Sequence, residues 1–410
     1  MTRRRIGALL GVLLALLCCA TAGAAEKHQQ TKGPRVLAKS WALIDGRTGA
    51  VLTSHAGAER RLIASTTKLM TAYVAMKDLP LSKIVKAQPY EYEYGESVMG
   101  LRAGQRISVE DLLYGLILLS AGDAANTLAI DSAGSVKKFV AEMNRYAAAL
   151  GLTDTHYANP VGLDQKGNYS SALDLATLSL ELEKIPAFAR IADAREATLR
   201  SLHPPRRIKS INELLKMAPW VTGVKTGHTW KAGYVLVGSG EKHGVRLISV
   251  AIDAPTDETR YSDNLELLEW GFRQYHRRKV LRRGQELASP SIRYSGGELP
   301  LVVEHALKIG LRAGQKVDVE VDAPGEVTGP VRRGARLGSA TVSVEGLRAG
   351  SVPLLASRSI PAAGTFDRAR GFVGEHLVPL AAAACAILLL AILLGRSFRR
   401  IRRGKRVEQK

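Results

Sequence analysis

The sequence predicts an α+β protein: an antiparallel sheet covered by helices, then a small all-β domain and a C-terminal transmembrane helix. Three observations predict it. A strand pair stands at the front, helices fill the middle, and three strands and a helix close the region near His276, the order of an antiparallel sheet with helices against it. Short apolar runs broken by Gly and Pro follow. Last comes an uncharged stretch, Leu377 to Leu394, set against a basic tail. With 410 residues, 46% of them hydrophobic, the chain can bury a sizeable core and form more than one domain.

The N-terminus has the layout of a signal peptide over residues 1–25. "TRRR" is the charged region, "IGALLGVLLALLCC" the apolar core, and "ATAGAA" offers small residues for cleavage after Ala24 or Ala25. A polar lead of residues 26–37 precedes "SWALIDGRTGAVLTS", two apolar runs around "DGRTG", which predicts a β-hairpin. "LIASTTKLMTAYVAM", Leu62 to Met76, predicts an apolar helix. From Glu91 to about Glu213 the pattern is mostly helical. Ser108 with Asp111 three later is close to a capping box, and 135–150 and 171–184 carry apolar residues at helical spacing.

From Val221, "VTGVKTGHT", "AGYVLVGSG" and "VRLISVAID" predict consecutive strands, closed by the helix "DETRYSDNLELLEWGFRQYH". The first globular domain therefore spans 38–276. Residues 277–358 read as the small β-rich domain and 359–376 as a linker. Residues 377–395 read as the membrane span and 396–410 as a basic cytoplasmic tail, eight Lys and Arg against one Glu. Positive residues stay on the cytoplasmic side, so everything before the span is expected outside the cell membrane, on a single-pass protein.

The formal net charge of +20 suits an anionic partner such as a wall polymer or acidic lipid. Nucleic acid is disfavoured: aromatics are 5% and no recognition motif is present. Cys18, Cys19 and Cys385 all fall in the two apolar end segments, leaving the exported part without a disulfide framework or a thiolate nucleophile. The nine histidines form no H-x-x-x-H pair, so no metal and no cofactor is expected. Minor features carry less. "NYS" at Asn168 and "HPPRR" at 203–207 read as loops, and "YEYEYGESVMG" (90–100) as a strand or loop rimming the site.

The chemistry starts at Ser65 and Lys68. Three residues apart on a helix, they share one face. A buried lysine is costly unless paired or neutral, and once neutral it is a base beside a hydroxyl that needs one to become a nucleophile. S-x-x-K alone is weak, because an exposed helix start gives the same pattern. Two further pieces strengthen it: Ser120 in "LILLSAGDAAN" and Lys225, Thr226 and Gly227 in "GVKTGHT".

Together these elements resemble the serine D-alanyl-D-alanine carboxypeptidases, the low-molecular-mass penicillin-binding proteins, in which S-x-x-K, an S-x-N-type element and K-T-G recur. "ALIDGRTGAVL", "LIASTTKLMTA", "GLTDTHYANPVGLD" and "TRYSDNLELLEWGF" are similar to that family as well. The resemblance implies a β-lactamase/transpeptidase-like fold and acyl transfer from peptidoglycan stem peptides ending in D-Ala-D-Ala, with β-lactams as covalent inhibitors. It implies Ser65 as nucleophile and Lys68 as base, kept neutral by burial and by Lys225 as a second cation. Ser120 would relay a proton to the leaving D-alanine. Lys225 and Thr226 would hold the terminal carboxylate, and the N–H groups of Ser65 and His228 would form the oxyanion hole. Arg260 reads equally as a carboxylate contact or a surface ion pair.

One departure stands out. The second element usually ends in Asn, but here it is Ser120-Ala121-Gly122, with no third side chain to touch the substrate amide or Lys68. Asn126, one helical turn on, cannot replace it. The expected consequence is an altered rate or preference, with acylation retained. The alternatives to a carboxypeptidase are a transpeptidase or β-lactamase on the same scaffold, or a catalytically weak wall-binding protein.

Overall fold

The strands and helices of the first domain follow from side-chain pattern and capping. In this computed structural model, residues 33–407 are described apart from 94, 295, 367 and 369–376. The expected signal peptide, 1–25, lies outside the described residues. β1 (Ser40–Asp45) and β2 (Val51–His55) form the front hairpin. β3 (Val221–Thr229), β4 (Gly233–Lys242) and β5 (Val245–Ala254) join it in an antiparallel sheet of order β2-β1-β5-β4-β3. β3 is therefore an edge strand. Leu43, Val235, Val237, Leu247, Ile248 and Val250 are buried between the sheet and its helices. Fully burying such a side chain stabilises by roughly 1.5–3 kcal/mol.

The helical part holds α1 (Lys68–Asp78), α2 (Val109–Leu118), α3 (Gly122–Ala133), α4 (Val136–Ala149) and α5 (Ala172–Glu183). Capping sets three starts: Ser108, Ser135 and Ser171 each accept the backbone N–H three residues on. α6 (Asp257–Arg273), capped by Thr256, packs on β4 and β5.

The middle is less helical than the sequence predicts. Ile84–Lys86 pairs with Arg106–Ser108, and Glu196–Leu199 with Arg206–Lys209. Pro204 and Pro205 stop a helix there and turn the chain into a hairpin at the "HPPRR" loop. The Leu62–Met76 helix is likewise shorter at its front. Ala64–Thr67 is a 3₁₀ turn, and the α-helix begins only at Lys68.

A second set of strands follows α6. His276–Leu281 pairs with Leu307–Leu311, and a five-stranded sheet is centred on Arg336–Val344 and Leu347–Ala356. Leu299, Leu301, Val342 and Leu354 form its own core. It meets the first sheet through Tyr275, whose hydroxyl donates to Asp45 Oδ2 at 2.5 Å, and through Arg47, which donates to the Arg348 carbonyl.

The C-terminal segment departs from expectation. The terminal helix, Leu377–Val407, runs through the apolar stretch into the basic tail without a break at 395. Arg and Lys are good helix formers, so nothing in that tail ends the helix. Among the described residues no helix is long and apolar enough to cross a membrane.

Candidate active site

Ser65 lies in the 3₁₀ turn and Lys68 opens α1, so the two functional groups sit where the helix begins. The core decides what happens to Lys68. Its neighbours Leu69, Met70, Ala72 and Val74 are fully buried, and Lys68 itself is 1% exposed. Its Nζ donates to Ser65 Oγ at 3.1 Å and to the Val161 carbonyl. Burial lowers the ammonium from 10.5 to about 8, while Glu96 and Asp123 oppose the shift.

The Val161 carbonyl is held by a tight turn. Asn159 Oδ1 accepts the N–H groups of Val161, Gly162 and Leu163 at 3.2, 2.7 and 3.2 Å. Gly162 has φ +90°, and a Cβ there would overlap the Ala64 carbonyl and come within 2.9 Å of Ser65 N. Thr71 Oγ1 donates to the Pro160 carbonyl at 2.6 Å, and Asn168 Nδ2 to Thr67 Oγ1 at 3.3 Å. Asn168, read from sequence as part of a loop, is thus a buried brace for the Ser65 turn. The sequence supplied no signal for the Val161 carbonyl, because any residue has one.

β3 lies along the same turn. A Cβ on Gly227 would stand 3.0 Å from the Ile63 carbonyl and 3.1 Å from Ser65 N, which explains glycine at that position. Lys225 is fully buried, and its Nζ donates to the Thr226 carbonyl at 2.7 Å. Burial first, then the charges of Lys68 and Arg260, hold its ammonium well below the ordinary lysine range. Burial therefore acts on both lysines as expected, but the cation repulsion falls on Lys225. Thr226 is buried beside it, and His228 is exposed, its ring stacked on Tyr234 at 4.2 Å.

Arg260 is no surface residue: it is 9% exposed, and its Nη1 donates to the Gly227 carbonyl at 3.0 Å. It also pairs with Asp257. The guanidinium therefore braces β3 at Gly227.

Ser120 sits between α2 and α3, buried, with φ +61°. That left-handed conformation is uncommon for a non-glycine residue and costs of order 1 kcal/mol or more. α3 packs on α1, and Asp123 in its first turn is one of the two carboxylates felt by Lys68. The structure thus brings the Ser65 turn, the start of α3 and β3 to one place. Asn126 stays outside this group: its Nδ2 donates to the Pro89 carbonyl at 3.1 Å.

Comparison with known proteins supports the same reading. Residues 26–256 match the family model described as D-alanyl-D-alanine carboxypeptidase, and 275–362 the model described as penicillin-binding protein 5, C-terminal domain. The chain is 33% identical over 385 residues to D-alanyl-D-alanine carboxypeptidase DacC of Escherichia coli, covering 90% of this chain and 94% of the relative. It is 30% identical over 377 residues to DacF of Bacillus subtilis, covering 90% and 97%. Among solved structures, penicillin binding protein 5 from Haemophilus influenzae superposes with TM-score 0.56 at 28% identity, covering 81% of this chain and 99% of that one. Penicillin binding protein 6B from Escherichia coli gives 0.58 at 29%, covering 80% and 98%. The chain belongs to the D-alanyl-D-alanine carboxypeptidase family of serine peptidases.

Proposed function

We infer that this enzyme is a serine D-alanyl-D-alanine carboxypeptidase that removes the terminal D-alanine from peptidoglycan stem pentapeptides and is acylated by β-lactams. The observation that carries the reading is a lysine amine, 1% exposed and lowered to about 8, held 3.1 Å from a serine hydroxyl. Near pH 8 about half of that amine is neutral and able to act as a base.

In this mechanism Ser65 Oγ attacks the carbonyl between the two D-alanines as Lys68 takes its proton. The N–H groups of Ser65 and His228 stabilise the oxyanion, where one donor contributes about 10²–10³ in rate. Collapse of the tetrahedral intermediate breaks the C–N bond, and the leaving amine takes a proton through Ser120. Water then attacks the acyl-enzyme and returns Ser65. Lys225 and Thr226 hold the substrate carboxylate, whose negative charge would restore the proton on Lys225. Arg260 supports that strand through the Gly227 carbonyl.

We propose further that the enzyme works at the cell membrane. Residues 38–276 act outside, 277–358 lift them toward the wall, and 359–376 link to a C-terminal membrane anchor at 377–395. The side chains of Ile387 to Leu390 and of Ile392 to Leu394 are all large, apolar and exposed, which supports a lipid environment. Fractionating cells that express the full chain tests this; a chain recovered in the soluble fraction rejects it.

Incubation with a pentapeptide ending in D-Ala-D-Ala tests the activity. Mass spectrometry should show the tetrapeptide and free D-alanine, and Ser65→Ala should abolish both. An intact substrate with wild-type protein overturns the reading.

A further inference from the structure

Gly122 marks where the expected third side chain is missing, yet the space is filled. A Cβ built there would overlap a carboxylate oxygen of Glu96, with Glu96 Cδ at 3.1 Å and the Tyr90 hydroxyl at 2.8 Å. Glycine leaves this space open, and the Glu96 carboxylate occupies it over the start of α3. Tyr90 donates its hydroxyl to Glu96 Oε1, and the Glu93 N–H donates to Oε2 at 3.3 Å.

The loop that carries Glu96 is tied down on both sides. Gly122 N–H donates to the Ser97 carbonyl at 2.8 Å. Asp123 accepts the N–H groups of Met99 and Leu101 at 2.9 Å each, and Asn126 binds the Pro89 carbonyl. Resting on the function inferred above, we propose that Glu96 is a positioning residue: seated on Gly122 and braced by Tyr90, its carboxylate replaces the missing third side chain of the Ser120 element and supplies negative charge to the Lys68 side of the cleft.

The charged groups facing Lys68 are Glu96 from the loop, Asp123 from α3 and Lys225 from β3, with Arg260 behind Lys225. Its other partners, Ser65 Oγ and the Val161 carbonyl, are neutral. A nearby anion favours the ammonium, so removing it frees the amine at lower pH.

The test is the acylation rate with a fluorescent penicillin from pH 6 to 10. It compares full-length wild type, Glu96→Gln, Gly122→Asn and the Glu96→Ala/Gly122→Asn pair, with folding checked by circular dichroism. Glu96→Gln should move the acid limb downward and speed acylation at pH 6 by about 3- to 10-fold, the effect of half to one unit on one titrating group. Gly122→Asn alone should slow acylation at least about tenfold by colliding with Glu96, and removing Glu96 in the pair should restore most of it. An acid limb unmoved in Glu96→Gln, with any rate change equal at all pH values, overturns the proposal. So does equal tolerance of the Gly122→Asn change with and without Glu96. Should Gly122→Asn fail to fold, the Glu96→Gln limb decides alone. Wild type that is never acylated would instead overturn the function itself.

Discussion

Two walls of the site are built in different ways. On one, Ser65 and Lys68 come from a single turn of chain, fixed by the buried residues that follow them. On the other, Ser120 comes from the junction of α2 and α3, and the adjoining polar group, Glu96, arrives on a separate loop through the gap left by Gly122. The two reacting groups of the first wall form one local motif, braced from elsewhere in the chain by the Val161 carbonyl and Asn168. The second is an assembly, and its chemistry depends on hydrogen bonds between the 89–101 loop and α3.

Breaking the local wall should have the largest effect. Lys68→Ala removes the base and should lower acylation by about 10²–10⁴. A loss under threefold, measured by stopped-flow, would mean that the base lies elsewhere. Next in size is Gly227→Ala, which pushes a methyl toward the Ile63 carbonyl and Ser65 N. It should cost about 1–3 kcal/mol in unfolding free energy, read by denaturant titration, and slow acylation as well. An unchanged midpoint would show that the turn yields freely. The activity profile of wild type should rise through an acid limb near 8, as Lys68 loses its proton. A limb below 6 would place another group in charge.

A remote carboxyl serves as control. Glu183, buried at the end of α5, is raised from 4.5 to about 7, chiefly by burial, with the Ser239 hydroxyl and Arg246 opposing. A raised carboxyl favours the folded state below 4.5, and this contribution is lost as pH rises through about 7. Glu183→Gln should therefore flatten the stability profile and stabilise the fold above pH 7 by up to about 3 kcal/mol. The acid limb of activity should stay in place. Movement of both together would mean that the activity profile reports folding instead of Lys68.

The same contrast explains what the sequence made legible. Strands such as "YVLVGSG" and "VRLISVAID", and helices capped by Ser108, Ser135 and Ser171, announce themselves through pattern and cap chemistry. Ser65, Lys68, Ser120 and Lys225 stood out because their short motifs survive in the chain order. The hairpin at 196–209 did not, because its pairing is short and its prolines read only as a loop. The Val161 carbonyl is invisible in any sequence. Glu96 was visible only as part of a polar, aromatic rim. Its partnership with Gly122 is a contact between segments, and a missing side chain does not say what fills its place. Arg260 reads equally well as a carboxylate contact or a surface ion pair; its burial and its bond to the Gly227 carbonyl, alongside the pair with Asp257, are contacts that no sequence pattern announces.

The most direct test is the site of acylation itself. After brief exposure to benzylpenicillin and digestion with trypsin, the added mass should lie on the peptide Leu62–Lys68, at Ser65. An adduct on Ser120 or any other residue, or none on folded protein, would contradict the account.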